Sequence, residues 1–216
     1  MDILLYAIQH DWLVLIPIVV CSVLTIAVAI ERWFFYDHNK RDVVQFISRL
    51  QRELQRNNLE NAQLLSAQLG GIIGEVSEEG IRVLNEQKES FARSYDITAA
   101  LASRKLLKNL SILATIATIT PYLGLFATVI RILLVFGEFA KASSAQSQDI
   151  MFGIASALIA TGFGLGVAIM AVTLNNYFQS IVSRYEDDFQ LLKLLFLSFA
   201  DKRNLTQHTH NPGVLQ

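Results

Sequence analysis

Two apolar stretches decide the fold. Residues 110–137 read LSILATIATITPYLGLFATVIRILLVFG, and residues 150–178 read IMFGIASALIATGFGLGVAIMAVTLNNYF. The first contains one charged residue, Arg131, and the second contains none. Because roughly 20 apolar residues of helix cross a bilayer core of about 30 Å, each stretch is long enough to cross a membrane once.

A third apolar stretch comes first in the chain. It begins at Trp12 and is closed by Glu31 and Arg32, and aromatic residues stand at both ends, where membrane–water interfaces favour them. The sequence therefore predicts an all-α membrane protein with three transmembrane helices and with long helices extending into a cytoplasmic helical domain. The predicted parts are an outer interfacial segment (1–11), transmembrane helix 1 (12–31), a cytoplasmic helical domain (32–108), transmembrane helix 2 (109–137), a periplasmic loop (138–149), transmembrane helix 3 (150–178), a cytoplasmic helix (179–203) and a disordered tail (204–216).

The distribution of positive charge sets the expected orientation. Of the 18 Lys and Arg residues, 12 lie between Arg32 and Lys108 and four follow Phe178. Positively charged loops stay in the cytoplasm, so we expect a periplasmic N-terminus and a cytoplasmic C-terminus. The formal net charge is only −1, which gives no basic surface for a nucleic acid.

Three helices are predicted within the cytoplasmic domain. Apolar residues at helical spacing predict one that begins near Val43 and ends before Asn57, and a second covers Leu59–Leu69. The third is rich in charge from Ile72 to Arg104, so we expect it to be a solvated helix that runs without a break into transmembrane helix 2. Transmembrane helix 3 is expected to continue in the same way into the cytoplasm.

Polar and small side chains inside the spans are the candidates for function. Ser111, Thr115, Thr118 and Tyr122 recur every three or four residues, which puts them on one stripe of a helix. The third span contains small residues at intervals of four, as in Gly162 and Gly166, a spacing that allows close helix packing in lipid. A simple helical bundle would show such glycines too.

The order of these residues resembles the second and third membrane helices of the ExbB/TolQ family, whose patterns look like APxxGLxGTV and GIxEALxATxxGLxxAIPAxxxYN. The matches to the first pattern are Pro121, Gly124, Leu125, Thr128 and Val129. The matches to the second are Gly153, Ile154, Ala157, Leu158, Ala160, Thr161, Gly164, Leu165, Ala168, Ile169, Ala171 and Asn176. The chain departs from the family at Ala127, Arg131, Ser156 and Met170, and Ser156 stands where the family usually has a glutamate.

The resemblance implies a subunit of a bacterial inner-membrane proton channel. Such subunits form a homo-oligomeric ring, a pentamer, around ExbD/TolR-like single-span partners that carry a membrane aspartate. By motif, the implied pore-lining residues are Thr128 and Thr161. Ser156, at the family's glutamate position, and Thr115 and Thr118, on the polar stripe, are predicted to line the pore with them. Helix bending and packing are assigned to Pro121, Gly124, Gly153, Gly162, Gly164 and Gly166, and the outer rim charges are Arg131 and Glu138. For Arg131 we favour anchoring at the interface over pairing with an acid.

The residues themselves limit the chemistry. The sequence contains no nucleotide-binding motif and no catalytic triad, so we expect neither an enzyme nor a bound cofactor, and no metal cluster is predicted. The membrane interior, covered by residues 12–30, 110–137 and 150–178, contains no Asp, Glu or His of the kind that relays protons across lipid. If the chain conducts protons, a partner must supply the carboxylate. The alternative is a non-conducting membrane scaffold of the same fold.

Overall fold

The computed structural model describes residues 12–86, 91–139 and 147–210. The predicted interfacial segment 1–11 and most of the predicted periplasmic loop lie outside these residues. The described part of the chain consists of helices and short connections, without a strand. The helices are α1 (Trp12–Asn39), α2 (Val43–Gln55), α3 (Leu59–Leu69), α4 (Gly71–Asn85), α5 (Phe91–Leu107), α6 (Leu110–Phe139) and α7 (Ser147–His210).

The chain divides into two compact units. The first, called the membrane unit below, contains the chain up to Trp33 together with residues 109–179. The second, called the helical domain, contains Phe34–Lys108 and the chain from Ser180 onward. Helices α1, α6 and α7 are each long and apolar enough to cross a membrane, which confirms the prediction of an all-helical chain with three candidate spans.

The core of the membrane unit is formed by small and branched apolar side chains. Ile18, Ile116, Val167 and Ala171 are buried against one another, so all three spans contribute to one cluster. Cys21 packs against this cluster and is half-buried. The lone cysteine is thus a packing residue, as a small apolar side chain in this place would be.

The helical domain is held together by aromatic rings and by phenol hydroxyls. The rings of Phe91 and Tyr95 on α5 contact the ring of Phe196 on α7, with centroids about 6 Å apart. The Tyr95 hydroxyl donates to the carbonyl of Phe189 at 2.9 Å, and the Tyr185 hydroxyl donates to the carbonyl of Asn39 at 3.0 Å. Burial raises the pKa of both phenols, so they remain neutral donors.

The first two helices of the helical domain match the sequence prediction because their ends are marked locally. Asp42 caps α2 by accepting from the amide of Gln45, and Asn58 caps α3 by accepting from the amide of Asn61. Gly70 follows α3 with a φ of 61°, a conformation that suits glycine.

The prediction of one long third helix is wrong. Two helices occupy this part of the chain, because α4 ends at Asn85 and α5 begins at Phe91. A second break separates α5 from α6, where Asn109 has a φ of 64° and donates a side-chain hydrogen bond of 2.8 Å to Glu31. Asparagine adopts this left-handed conformation more readily than most residues, and the contact with Glu31 stabilises it there.

Helix α4 also differs from the solvated helix that its charges suggested. Most of its residues are buried, and only a narrow face that includes Glu75 and Arg82 is exposed. At Gly80, helix α4 lies against the ring of Phe196 on α7, and a Cβ on Gly80 would approach that ring to 2.6 Å.

Helix α7 confirms the continuous helix expected after the third span and extends beyond it. It runs without a break to His210, so the tail expected to be disordered from residue 204 is helical over its first seven residues. No proline or glycine occurs between Gly166 and Pro212 to interrupt the helix. Residues 211–216 lie outside the described part of the chain.

Candidate functional site

Helices α6 and α7 approach each other closely along glycines. A Cβ on Gly164 would lie 3.0 Å from the carbonyl oxygen of Thr120 and 3.1 Å from the Cα of Gly124. A Cβ on Gly124 would lie 3.0 Å from the Cα of Thr161. These neighbours are backbone atoms, so a Cβ at either position would force the two helices apart.

A third glycine extends this contact toward the other end of the span. A Cβ on Gly153 would clash with Val135 Cγ2 and would lie 3.7 Å from the guanidinium nitrogens Nε and Nη2 of Arg131. Gly124, Gly153 and Gly164 are called the glycine seam below. Early residues of α7 lie opposite late residues of α6, so the two helices are antiparallel.

Thr161 lies at the centre of the seam and links the two helices. Its hydroxyl donates to the carbonyl of Gly124 on α6 at 2.9 Å. A hydrogen bond between membrane helices typically contributes about 0.6 kcal/mol. The hydroxyl oxygen keeps a lone pair that can accept from a water or a protonated carboxyl group.

Thr128 and Ser156 are buried close to the seam but bond within their own helices. The Thr128 hydroxyl donates to the carbonyl of Leu125 at 2.6 Å, and the Ser156 hydroxyl donates to the carbonyl of Gly153 at 2.9 Å. Ser156 is only 1% exposed and Thr128 is 8% exposed. Their lone pairs remain available as acceptors, while both protons are used inside the helix.

Thr115 and Thr118 lie on a different surface of α6. Both are exposed, and their hydroxyls donate to the carbonyls of Ser111 and Ala114, one turn earlier. The structure therefore does not bring these two residues together with Thr128 and Thr161 at the seam. Their assignment as pore-lining residues stays a prediction. If they line a pore, they do so on the exposed surface of α6 and not at the seam.

The remaining glycines differ from those of the seam. A Cβ on Gly162 or Gly166 would meet nothing within 4 Å, and both residues line a shallow apolar groove with Ile159, Phe163 and Met170. Among the described residues, neither glycine packs closely against another helix. Their role in helix packing stays a prediction.

Pro121 is accommodated inside α6, which continues as a helix from Leu110 to Phe139. The residue before it, Thr120, is fully buried, and its hydroxyl donates to the carbonyl of Ile116 at 2.6 Å. Thr120 was not selected from the sequence, because this residue does not lie on the helix stripe formed by Ser111, Thr115, Thr118 and Tyr122, although it belongs to the same apolar stretch. The bend predicted at Pro121 stays a prediction.

Arg131 is the largest departure from the expected site. Its side chain is only 5% exposed and lies over Gly153, inside the α6–α7 pair, whereas we expected it to reach the membrane interface. A Cβ on Gly153 would meet the guanidinium nitrogens only at ordinary contact distance, so the side chain that requires a glycine at this position is Val135. The side chain of Glu138, the other predicted rim charge, lies outside the described residues.

The described residues contain no group of three or more His, Cys, Asp or Glu side chains that could hold a metal ion. Hydroxyls and backbone carbonyls dominate the polar side of the seam, and these groups can hold water or a carboxyl group. The arrangement can thus position a protonatable group, but the spans contain no carboxylate of their own.

Comparison with known proteins shows which sequences this chain resembles. Residues 68–191, more than half of the chain, match the model of the MotA/TolQ/ExbB proton channel family. The Tol-Pal system protein TolQ of Pseudomonas aeruginosa is 37% identical over 111 residues, which is 48% of this chain and 48% of that protein. The biopolymer transport protein ExbB of Aquifex aeolicus is 42% identical over 78 residues, 36% of this chain and 53% of that protein.

The alignments thus span about half the length of these curated relatives. The family match covers the whole of α6 and the membrane-spanning part of α7, including the glycine seam, Thr128 and Thr161. Together with three helices that are long and apolar enough to cross a membrane, this match identifies a multi-pass membrane protein. The chain belongs to the MotA/TolQ/ExbB proton channel family.

Proposed function

We propose that this chain is a proton-channel subunit of an energy-transducing complex in the bacterial inner membrane. In this proposal, several copies, five by resemblance to the family, surround the membrane helices of an ExbD/TolR-like partner. Proton flow through the complex moves the ring relative to the partner helices, which deliver work to the periplasm or the outer membrane.

The observation that carries the proposal is the Thr161 hydroxyl at the glycine seam. Among the described threonines of α7, Thr161 is the one whose hydroxyl bonds to α6. Its acceptor there is the carbonyl of Gly124, and Thr128 lies about one helical turn beyond Gly124 on α6. Both hydroxyls have acceptor capacity left, so a protonated carboxyl group or a water could bond to them. The family match supports the same use of this region.

The carboxyl group itself must come from another chain. The three spans contain no Asp, Glu or His between Trp12 and Ile30, in 110–137 or in 150–178. A partner helix with one aspartate would complete the relay at a low cost to membrane insertion, because a single neutralised acid faces hydroxyls rather than lipid. The names of the relatives, TolQ of the Tol-Pal system and biopolymer transport protein ExbB, support a complex of this kind.

A second candidate is a non-conducting scaffold of the same fold. The observation that favours it is the hydrogen bonding of Ser156 and Thr128, whose protons are held by carbonyls of their own helices. Ser156 also cannot carry a charge. In a scaffold, Thr161 would serve only to fix α7 against α6.

The test is proton uptake by liposomes that contain the full chain with its candidate single-span partner. Three variants are compared with the wild type: Thr161→Val, which keeps the shape of the side chain, Thr161→Ser, which keeps the hydroxyl, and an amide in place of the partner's membrane carboxylate. A hydrogen bond between neutral groups contributes about 0.5–1.5 kcal/mol, so Thr161→Val should lower the flux about two- to tenfold.

Thr161→Ser should retain most of the flux, and the amide should abolish it. Equal flux from Thr161→Val and the wild type would remove Thr161 from the path. An intact complex that takes up no protons above empty liposomes would establish the scaffold instead.

A further inference from the structure

The surface of α6 that faces away from the seam changes its chemistry at the middle of the span. In its first half it presents four exposed hydroxyl side chains, Ser111, Thr115, Thr118 and Tyr122. Beyond Tyr122 the same surface continues with exposed apolar residues, namely Leu125, Val129, Leu133 and Phe136. This surface is called the hydroxyl stripe over residues 111–122 and the apolar stripe beyond them.

Helix α7 shows the same change at the same end of the membrane unit. Its exposed surface is apolar at Leu158, Leu165 and Ile169, and becomes polar at Thr173 and Asn176. Because α6 and α7 are antiparallel, the end of the span in α7 lies at the level where the span in α6 begins. Both helices are therefore polar toward the end of the unit near Leu110.

The polar surfaces of the two helices lie on the same side of the pair. At about 100° per residue, Thr118 lies about 120° around α6 from Gly124, and Asn176 lies about 120° around α7 from Gly164. Gly124 and Gly164 face each other across the seam. Since the helices run in opposite directions, rotations of the same sign bring both residues to one side.

Tyr122 shows that this surface does not suit lipid. Its side chain is 67% exposed, and it lies 12 residues after Leu110, which places it about 18 Å into a core of about 30 Å. That depth is far from the interface, where exposed tyrosines normally lie. The hydroxyls of Thr115 and Thr118 are satisfied by their own helix, but a phenol at the end of an aromatic ring needs a partner beyond it.

We propose that the hydroxyl stripe of α6, with Thr173 and Asn176 of α7, lines a water-filled vestibule in the assembled protein. The vestibule opens at the Leu110 end, the cytoplasmic end by the charge distribution, and is closed by the apolar stripe beyond Tyr122. Successive hydroxyls rise by about 4.5–6 Å along the helix axis, a spacing that one water molecule can bridge. The inference rests on the proposed function, for which it supplies the route by which protons leave the threonines toward the cytoplasm.

Cysteine labelling tests the vestibule without relying on proton flux. Cys21 is changed to alanine, and single cysteines are then introduced as Thr118→Cys, Ile119→Cys and Leu133→Cys in the full chain with its partner. Ile119 is exposed at the same depth as Thr118 but on another surface of α6, and Leu133 lies on the apolar stripe. A membrane-impermeant thiol reagent is applied to inverted membrane vesicles and, separately, to intact spheroplasts.

The reagent reacts with the thiolate, which forms only where water reaches the sulfur. We expect Thr118→Cys to react in inverted vesicles at least about tenfold faster than either control, and not to react in spheroplasts. Equal rates at positions 118 and 119, or labelling of Thr118→Cys only in spheroplasts, would overturn the vestibule or its direction. Fast labelling of Leu133→Cys in inverted vesicles would show that the apolar stripe does not close it.

Proton uptake by the same complex with Tyr122→Phe separates this inference from the proposed function. A wild-type complex that conducts while Thr118→Cys stays unlabelled overturns only the vestibule. Labelling with the expected pattern in a complex that never conducts supports the vestibule and removes the channel. If the complex conducts protons and Thr118→Cys is labelled as expected, Tyr122→Phe should lower the flux several-fold and leave that labelling unchanged. An unaltered flux would show that Tyr122 is not on the proton route.

Discussion

Replacing Gly164 with alanine should weaken the packing of α6 against α7. The new Cβ would lie 3.0 Å from the Thr120 carbonyl oxygen, 3.1 Å from the Cα of Gly124 and 3.3 Å from its amide nitrogen, whereas ordinary contact begins at 3.4 Å. All three neighbours are backbone atoms and cannot rotate away. The helices must therefore separate by a few tenths of an ångström, which also stretches the hydrogen bond from Thr161.

The size of the effect follows from two opposing terms. Overpacking of a close contact costs typically about 1–3 kcal/mol, and alanine recovers up to about 1 kcal/mol over glycine in a helix. Subtracting the full gain leaves about 0–2 kcal/mol, and because the new Cβ meets three backbone atoms we expect the upper half of that range, a loss of about 1–2 kcal/mol in the free energy of unfolding. The free energy is measured on the full chain in detergent micelles, by tryptophan fluorescence during titration with a denaturing detergent, where copies are dissociated.

Gly162→Ala provides the matched control two residues away on the same helix. A Cβ there meets nothing within 4 Å, so only the gain in helix propensity remains and stability should be unchanged or slightly higher. The reasoning would be refuted if Gly164→Ala were as stable as the wild type, or if both variants lost stability equally. Loss of assembly without loss of monomer stability in Gly162→Ala would support packing of this residue between subunits.

Two further predictions concern the helical domain. Tyr95→Phe removes the buried hydrogen bond to the Phe189 carbonyl and should cost about 0.5–1.5 kcal/mol in thermal or chemical unfolding; an unchanged stability would show that the bond contributes nothing. Burial and, to a smaller extent, the charge of neighbouring Asp187 raise the pKa of Asp188, so its ionised form opposes folding above that pKa. Asp188→Asn should therefore stabilise the protein at pH 7, on the order of 0.5 kcal/mol because the side chain is partly exposed, and this advantage should shrink as the pH falls toward about 4. Unfolding curves for wild type and variant that differ equally at both pH values would contradict the assignment.

The parts of the fold that could be predicted from the sequence are those fixed by local chemistry. An apolar run of span length has few alternatives to a membrane helix, so α6 and the first part of α7 were predictable from composition alone. The limits of α3 were predictable as well, because Asn58 and Gly70 mark its ends. The orientation, with the N-terminus in the periplasm and the C-terminus in the cytoplasm, follows from the charge count and stays a prediction.

The parts that could not be predicted depend on contacts between distant residues. Asn109 breaks the helix between α5 and α6 while bonded to Glu31, which lies 78 residues earlier in the chain. Gly162 and Gly164 stand in the same run and look alike in the sequence, yet only Gly164 faces α6. Arg131 is buried beside Gly153 of α7, and a helix pairing of this kind is not visible in either segment alone.

The helical domain is assembled from two pieces of chain that are far apart in the sequence, and this constrains how the protein can be made. Tyr185 in the later piece bonds to the carbonyl of Asn39 in the earlier one, and Phe196 supplies part of the aromatic core of α5. Roughly 70 residues of membrane-inserting chain lie between the pieces, and they take about 4–14 s to synthesise at ~5–20 residues per second. During that time Gly80, Phe91 and Tyr95 lack their contact with Phe196, so the domain can close only after the third span has entered the membrane. Truncated chains that end before α7 should therefore be recognised by chaperones and proteases as unfinished.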